Sequence, residues 1–296
     1  MQSARTPLWR AALTRITPLM ALHGSLRAAP TTRDGLVFAL YRGLVWLVNG
    51  TRFWRPLNVA TRGLSRRLTL TVSLNGPSGR PVRLTLPLEP QTYWTLYEIF
   101  FAHAYRPVAP IAPAVVVDAG ANIGLASVYL HALYPGARFL CVEADSANLT
   151  LLLRNLRQNG INFEIVPAAL GRVEGDVTFR AHRAASDYSS TRCTSFRDSE
   201  YREITVRATT LGALLATYGV SRVGLLKIDI EGSEFDVLSS GGDVLRRLDY
   251  ITGEFHGFAG DVTALLEGVC RATGLTVLAH RGSAALATVH LGPPQA

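Results

Sequence analysis

Lysine is almost missing from this 296-residue chain: Lys227 stands alone among thirty basic residues. Such uniform use of arginine reflects coding bias more than a phosphate-binding design. Cysteine is scarce as well. Cys141, Cys193 and Cys270 are odd in number and far apart, with no CxxC pair, which argues against a disulfide framework or a zinc site and favours a reducing compartment. Cys141 reads as a small buried apolar residue. Acids are nearly absent from residues 1–67, where eleven arginines face Asp34 alone; the rest of the chain is close to neutral, and no nucleic-acid partner is expected. Uninterrupted apolar runs are short. The stretch Leu36 to Val48 is broken by Arg42 and cannot span a bilayer. No apolar core precedes a small-residue cleavage site, so a secretory signal is not expected and Asn49-Gly50-Thr51 carries little weight as a glycosylation site.

With 48% hydrophobic residues the chain can bury a sizeable core. Val115-Val116-Val117 reads as a strand buried on both faces. It ends in Asp118, turns through Gly120-Ala121-Asn122-Ile123-Gly124, and continues as an apolar-periodic helix. Glycine lets a ligand approach such a turn, having no Cβ and tolerating positive φ. A dinucleotide fingerprint would have a middle glycine where Asn122 stands, and Asp118 would repel a diphosphate. A carboxylate there suits S-adenosylmethionine instead, which carries an ammonium, a sulfonium and no phosphate. The next strand, Arg138 to Glu143, ends in a second acid placed for two ribose hydroxyls. Expected cofactor contacts are therefore Asp118, Gly120, Asn122, Gly124 and Glu143. Ala168, in the small-residue run 167–171 after the third strand, would leave room for the adenine.

Farther along, Leu225-Leu226-Lys227-Ile228-Asp229-Ile230-Glu231-Gly232 is a core strand that ends in alternating charges, and Gly253-Glu254-Phe255-His256 closes the strand after it. Charges at the carboxyl ends of strands in an open α/β sheet face the ligand crevice. His256 is the first candidate for a general base, because imidazole titrates near neutrality, and Glu231 is the second. Asp229 and Glu254 would orient base or acceptor. A variant has Asp229, Glu231 and Glu254 holding a divalent cation that polarises the acceptor oxygen.

These residues resemble the FkbM family of methyltransferases over roughly residues 90–280: Asp118-Ala-Gly120-Ala-Asn122-Ile-Gly124, Glu143, the 167–171 run, Lys227-Ile-Asp229-Ile-Glu231-Gly232-Ser-Glu234 and Glu254-Phe-His256. The chain departs at Gly212, where that family usually has an acid. The resemblance implies a class I methyltransferase fold, an α/β, Rossmann-like, mainly parallel seven-stranded sheet with flanking helices. It also implies S-adenosylmethionine-dependent O-methylation of a sugar, glycoconjugate or secondary-metabolite hydroxyl. Two rival readings are a non-catalytic binding module at a membrane or glycan surface and a nicotinamide-dependent dehydrogenase.

Around this core, residues 1–65 read as a basic, helical N-terminal extension whose start could contact a membrane surface, and 66–296 as the methyltransferase-like domain. Alternation over 66–88 predicts a β-hairpin, and 91–105 an aromatic-rich helix whose stripe faces the core. Residues 181–202 read as a long polar loop. A cytoplasmic location, peripheral to a membrane at most, is expected.

Overall fold

The computed structural model describes residues 24–49, 67–182 and 201–294. The amphipathic N-terminal stretch and most of the polar loop lie outside them. The chain divides into two compact units between Ala102 and His103. The hairpin and the aromatic helix thus belong to the first unit.

In that unit, α1 (Thr32–Asn49) buries Phe38, Tyr41 and Val45, and the Tyr41 hydroxyl donates to the Pro87 carbonyl at 3.1 Å. The strands β1 (Thr69–Asn75) and β2 (Pro81–Pro87) form the expected antiparallel hairpin. Gly79, at φ +80°, helps turn the chain between them. Helix α2 (Pro90–Phe100) starts on a proline, which lacks the N–H that a first helical turn leaves unpaired. Its aromatic stripe is only partly core. Leu96, Ile99 and Phe100 face inward, whereas Tyr97 and Phe101 are exposed and stack at 5.9 Å. Among the described residues no helix is long and apolar enough to cross a membrane.

The second unit carries the seven-stranded sheet. Its strands are β3 (Val115–Ala119), β4 (Arg138–Val142), β5 (Asn162–Val166), β9 (Leu225–Ile228), β10 (Ile251–His256), β11 (Thr276–Ser283) and β12 (Leu286–Gly292). Their order is β11-β12-β10-β9-β3-β4-β5. The run from β10 to β5 is parallel, and β12 enters antiparallel between β10 and β11. The chain builds outward from β3 through β4 to β5, then returns to lay β9 on the other side of β3. That reversal opens a crevice at the carboxyl ends of β3 and β9. A second, three-stranded sheet of β6 (Ala169–Gly171), β7 (Gly175–His182) and β8 (Tyr201–Thr210) follows β5; β8 was not expected from the sequence.

Helices cover both faces. Leu214 of α5 (Leu211–Thr217), Val237 of α6 (Glu234–Ser240) and Leu266 of α7 (Val262–Thr273) join Val117, Leu140, Leu226 and Ile251 in one apolar cluster. Side chains alternate along a strand, so Val116 and Asp118 face the other way, toward α3 (Leu125–Leu133). Helix α4 (Ser146–Gln158) begins at Asp145, whose carboxylate accepts the Ala147 N–H at 2.9 Å. Buried Asn155 of α4 donates to the Ile123 carbonyl at 2.8 Å, fixing the glycine turn to the helix behind it.

Candidate active site

Strand register decides the first feature of the crevice. Asp118 of β3 and Lys227 of β9 are paired neighbours, so their side chains leave the sheet on the same face. The Lys227 ammonium stands 3.1 Å from Asp118 Oδ1, with the two side chains 3% and 0% exposed. It also donates to the carbonyls of Gly120 at 2.8 Å and Ala119 at 3.3 Å. Ser127 of α3 donates to Asp118 Oδ2 at 2.5 Å. Burial pulls the Lys227 pKa down, but Asp118 and Asp229 outweigh it and the ammonium is retained. Asp118 is thereby corrected from a ligand contact to a wall residue. It lies one position inside the strand end and faces α3, and its charge is matched by Lys227.

The glycine turn is held against β9. Gly120 has φ +79°, and a Cβ there would lie 2.0 Å from the Asp229 carbonyl oxygen. The Asp229 N–H donates back to Ala119 O at 3.1 Å. Asn122 also takes a left-handed conformation, at φ +49°, which turns its N–H onto Glu143 Oε2 at 2.7 Å. Gly124, at φ +88°, opens α3. Glu143 accepts two further bonds at Oε1, from Asp145 N at 2.7 Å and Asn148 Nδ2 at 3.2 Å. Burial outweighs these bonds and raises its pKa to about 7. Ala168 lies buried just past β5. Glu143, Asn122, Gly120 and Gly124 are therefore gathered at the tips of β3 and β4, and Ala168 lies past the tip of the adjoining β5.

The other half of the crevice is built on β9 and β10. Single ligand atoms of Asp229, Glu231 and His256 all lie within 4.8 Å of one another. Glu231 has φ +53°, uncommon for a side chain with a Cβ, and its Oε2 is 3.4 Å from His256 Nε2. The segment is held by Glu234, whose Oε1 accepts from Ile230 N at 2.7 Å and whose Oε2 accepts from Gly232 N at 2.8 Å. Glu234 Oε1 also lies 3.2 Å from His256 Nδ1. Burial disfavours a charged imidazole, but the Glu234 bond and the charges of Glu231, Glu234 and Asp229 raise its pKa to about 10. Raised in this way, the imidazole is a weaker candidate than Glu231 for the expected place of first-choice base. Glu254 shares a face of β10 with His256 but lies outside the convergent set, and His256 replaces it in the candidate ligand trio.

Two residues of this site had not been singled out. Glu234 belongs to the Lys227–Glu234 motif, and a buried acid opening α6 was its signal. Tyr105 donates its hydroxyl to Asp229 Oδ2 at 2.8 Å, while its ring faces the Lys227 ammonium at 5.3 Å. It is 124 positions away from Asp229, and nothing local marks it.

A sheet with one inserted antiparallel strand, a glycine turn after its first parallel strand and an acid at the tip of the second defines a class I methyltransferase fold. The methyltransferase FkbM domain model matches residues 118–272, and the chain belongs to that family of S-adenosylmethionine-dependent methyltransferases. The methyltransferase sdnD of Sordaria araneosa is 27% identical over 210 residues, 57% of this chain and 78% of that protein. The 31-O-demethyl-FK506 methyltransferase FkbM of Streptomyces tacrolimicus is 27% identical over 216 residues, 62% and 82% of the two chains. Among solved structures, precorrin-6y C5,15-methyltransferase of Geobacter metallireducens superposes with a TM-score of 0.38 at 12% identity, over 70% of this chain and 89% of that one.

The donor set at the β3 and β4 tips fits the cofactor. Glu143 offers carboxylate oxygens at the end of the second strand, and the only lysine is already engaged by Asp118 and two carbonyls, so no free ammonium stands there for a diphosphate. Family membership also sets aside the nicotinamide alternative.

Proposed function

We propose that the protein transfers a methyl group from S-adenosylmethionine to a hydroxyl of a small molecule: a sugar, glycoconjugate or secondary metabolite. The observation that carries this reading is the convergence of Asp229, Glu231 and His256 at the strand tips beside the glycine turn. A hydroxyl is a weak nucleophile until its proton is drawn away, and carboxylates beside the glycine turn can do that work. The name of one relative, the 31-O-demethyl-FK506 methyltransferase FkbM, suits an acceptor of this class.

When bound, the cofactor supplies an electrophilic methyl on a sulfonium. Glu143 would receive the ribose hydroxyls, the backbone at Gly120 and Asn122 would line the amino-acid end, and Ala168 would bound the adenine. Asp229 and Glu231 polarise the acceptor hydroxyl, with Glu231 in first place, its side chain 17% exposed against 9% for His256. His256, held by Glu234, keeps the Glu231 carboxylate in position. Tyr105 does the same for Asp229. Alignment of acceptor oxygen, methyl and sulfur, with water excluded, supplies most of the acceleration.

The test is transfer of isotopically labelled methyl from S-adenosylmethionine to panels of glycosides and hydroxylated metabolites, with amines and carboxylic acids alongside. Incorporation as a base-stable ether is expected. Label appearing only in amines or esters would remove the hydroxyl assignment.

A further inference from the structure

We propose that Asp229, Glu231 and His256 form a divalent-cation site, and that the carboxylates act on the acceptor through this ion. The proposal rests on reading the crevice as a methyl-transfer site and names the chemistry of its acceptor end.

Geometry comes first. The three ligand atoms lie within 4.8 Å of one another, and His256 Nε2 is 3.4 Å from Glu231 Oε2. Two ligands at metal–ligand distances of about 2.1 Å stand roughly 3.0–3.5 Å apart in octahedral or tetrahedral arrangement. Small rotations about the Asp229 and Glu231 side chains would close the set. The second shell is in place as well. Glu234 Oε1 lies 3.2 Å from His256 Nδ1, which leaves Nε2 as the nitrogen directed at the two carboxylates. A carboxylate behind the distal nitrogen is the usual means of fixing the tautomer and direction of a ligating imidazole. The same Glu234 holds the backbone on both sides of Glu231, through Ile230 N and Gly232 N. Tyr105 fixes the other carboxylate by its 2.8 Å bond to Asp229 Oδ2. His256 and Asp229 thus each have a side-chain partner that orients them, and Glu231 is held through the backbone on both sides of it.

Charge points the same way. Among the described residues the Lys227 ammonium is directed at Asp118, while the Asp229 and Glu231 carboxylates converge on His256. A cation at His256 Nε2 would take the place of the proton that Glu231 and Glu234 otherwise favour there. Two carboxylates with one imidazole suit a borderline-hard ion such as Mn²⁺ or Mg²⁺, bound with open positions for water or substrate. An acceptor hydroxyl in one of those positions has its pKa lowered. Its proton passes to solvent water as the oxygen forms the new C–O bond; the S–C bond breaks and its electron pair stays on sulfur.

The experiment uses the full chain, stripped with chelator, with and without S-adenosylhomocysteine. Mn²⁺ is titrated in, and the free-ion signal is followed by electron paramagnetic resonance. One bound Mn²⁺ per chain is expected, displaced by excess Mg²⁺. Asp229→Asn and Glu231→Gln should each weaken it about tenfold or more, and Glu234→Gln, which loosens the imidazole, by about tenfold. Calorimetry with S-adenosylhomocysteine and thermal unfolding, run on the same samples, show whether each variant is folded and its cofactor site intact. Mn²⁺ remaining free over a folded wild type overturns the proposal, as does wild-type affinity in both Asp229→Asn and Glu231→Gln. Mn²⁺ bound at this trio without any cofactor binding would uphold the ion site and count against the methyl-transfer reading.

Discussion

Lys227→Met tests the buried ion pair on which the glycine turn depends. The substitution keeps the length of the side chain and removes its charge. Asp118 Oδ1 would lose the ammonium 3.1 Å away, with the carboxylate fully buried, and the Gly120 carbonyl would lose its 2.8 Å donor. Breaking a buried pair by deleting one partner costs about 3–5 kcal/mol, because a buried charge is left uncompensated. Out of a total of about 5–15 kcal/mol, that is a large share. With a urea dependence of about 2 kcal/mol per molar, the unfolding midpoint should fall by roughly 1.5–2.5 M. Asp118→Asn should lose a similar amount, through the stranded ammonium. The double variant Asp118→Asn, Lys227→Met carries neither charge and should lose clearly less than the two singles added together. All four tryptophans precede residue 95, so their fluorescence is a poor reporter of the sheet. Far-UV circular dichroism in urea, with hydrogen exchange at β3 and β9, reads the right region. Single-variant losses under about 1 kcal/mol, or strict additivity in the double, would refute the pairing argument.

Gly120→Ala forces a Cβ onto the Asp229 carbonyl at a positive φ, which alone costs about 1–3 kcal/mol; a lowered melting temperature and lost cofactor binding are expected, and calorimetry showing wild-type affinity would contradict the close approach. In the proposed reading the ionised Glu143 carboxylate receives the ribose hydroxyls, and with its pKa near 7 S-adenosylhomocysteine affinity should fall about tenfold from pH 8 to pH 6; a flat profile would remove that role. His256 has a folded pKa of about 10 against 6.5 for the free group, so its contribution to stability is complete below about pH 6.5 and is lost as pH rises through 10. The urea midpoint of the wild type should approach that of His256→Gln across this window, and a gap that widens with pH would reverse the assignment.

The sheet was legible because its strands are short, strongly apolar and separated by clear turns, and Glu143, Asp229, Glu231 and His256 do lie at or just past the carboxyl ends of their strands. Asp118 was misread, since the strand-end rule identifies which end of a strand matters but not which face a side chain takes. The informative signal was the single lysine, embedded in a core strand that pairs with β3. Strand β8 was harder to see: Ile204, Val206 and Ala208 alternate, but Glu203 and Arg207 lie between them and the strand begins inside the polar 181–202 stretch. Tyr105 illustrates a deeper limit of one-dimensional reading: its partner lies 124 positions away, and only the closed fold brings the two together.

One device appears twice around the crevice. Asn122 and Glu231 both take left-handed conformations, at φ +49° and +53°, each at a strand tip beside the switch between β3 and β9. Such a conformation costs about 1–2 kcal/mol for a residue with a Cβ. A buried carboxylate holds each one: Glu143 by accepting from Asn122 N, and Glu234 by accepting from the N–H groups on both sides of Glu231. The two acids therefore hold different halves of one site, and their removal should separate donor from acceptor. Glu143→Gln should weaken S-adenosylhomocysteine binding while leaving the Glu231–His256 contact intact. Glu234→Gln should do the reverse, lowering kcat through a loosened Glu231 and His256 with cofactor affinity little changed, as an interaction felt mainly in the transition state would. Equal losses of cofactor affinity in both variants would mean that the two turns move as one unit, and that the division of the crevice between its strand pairs is wrong.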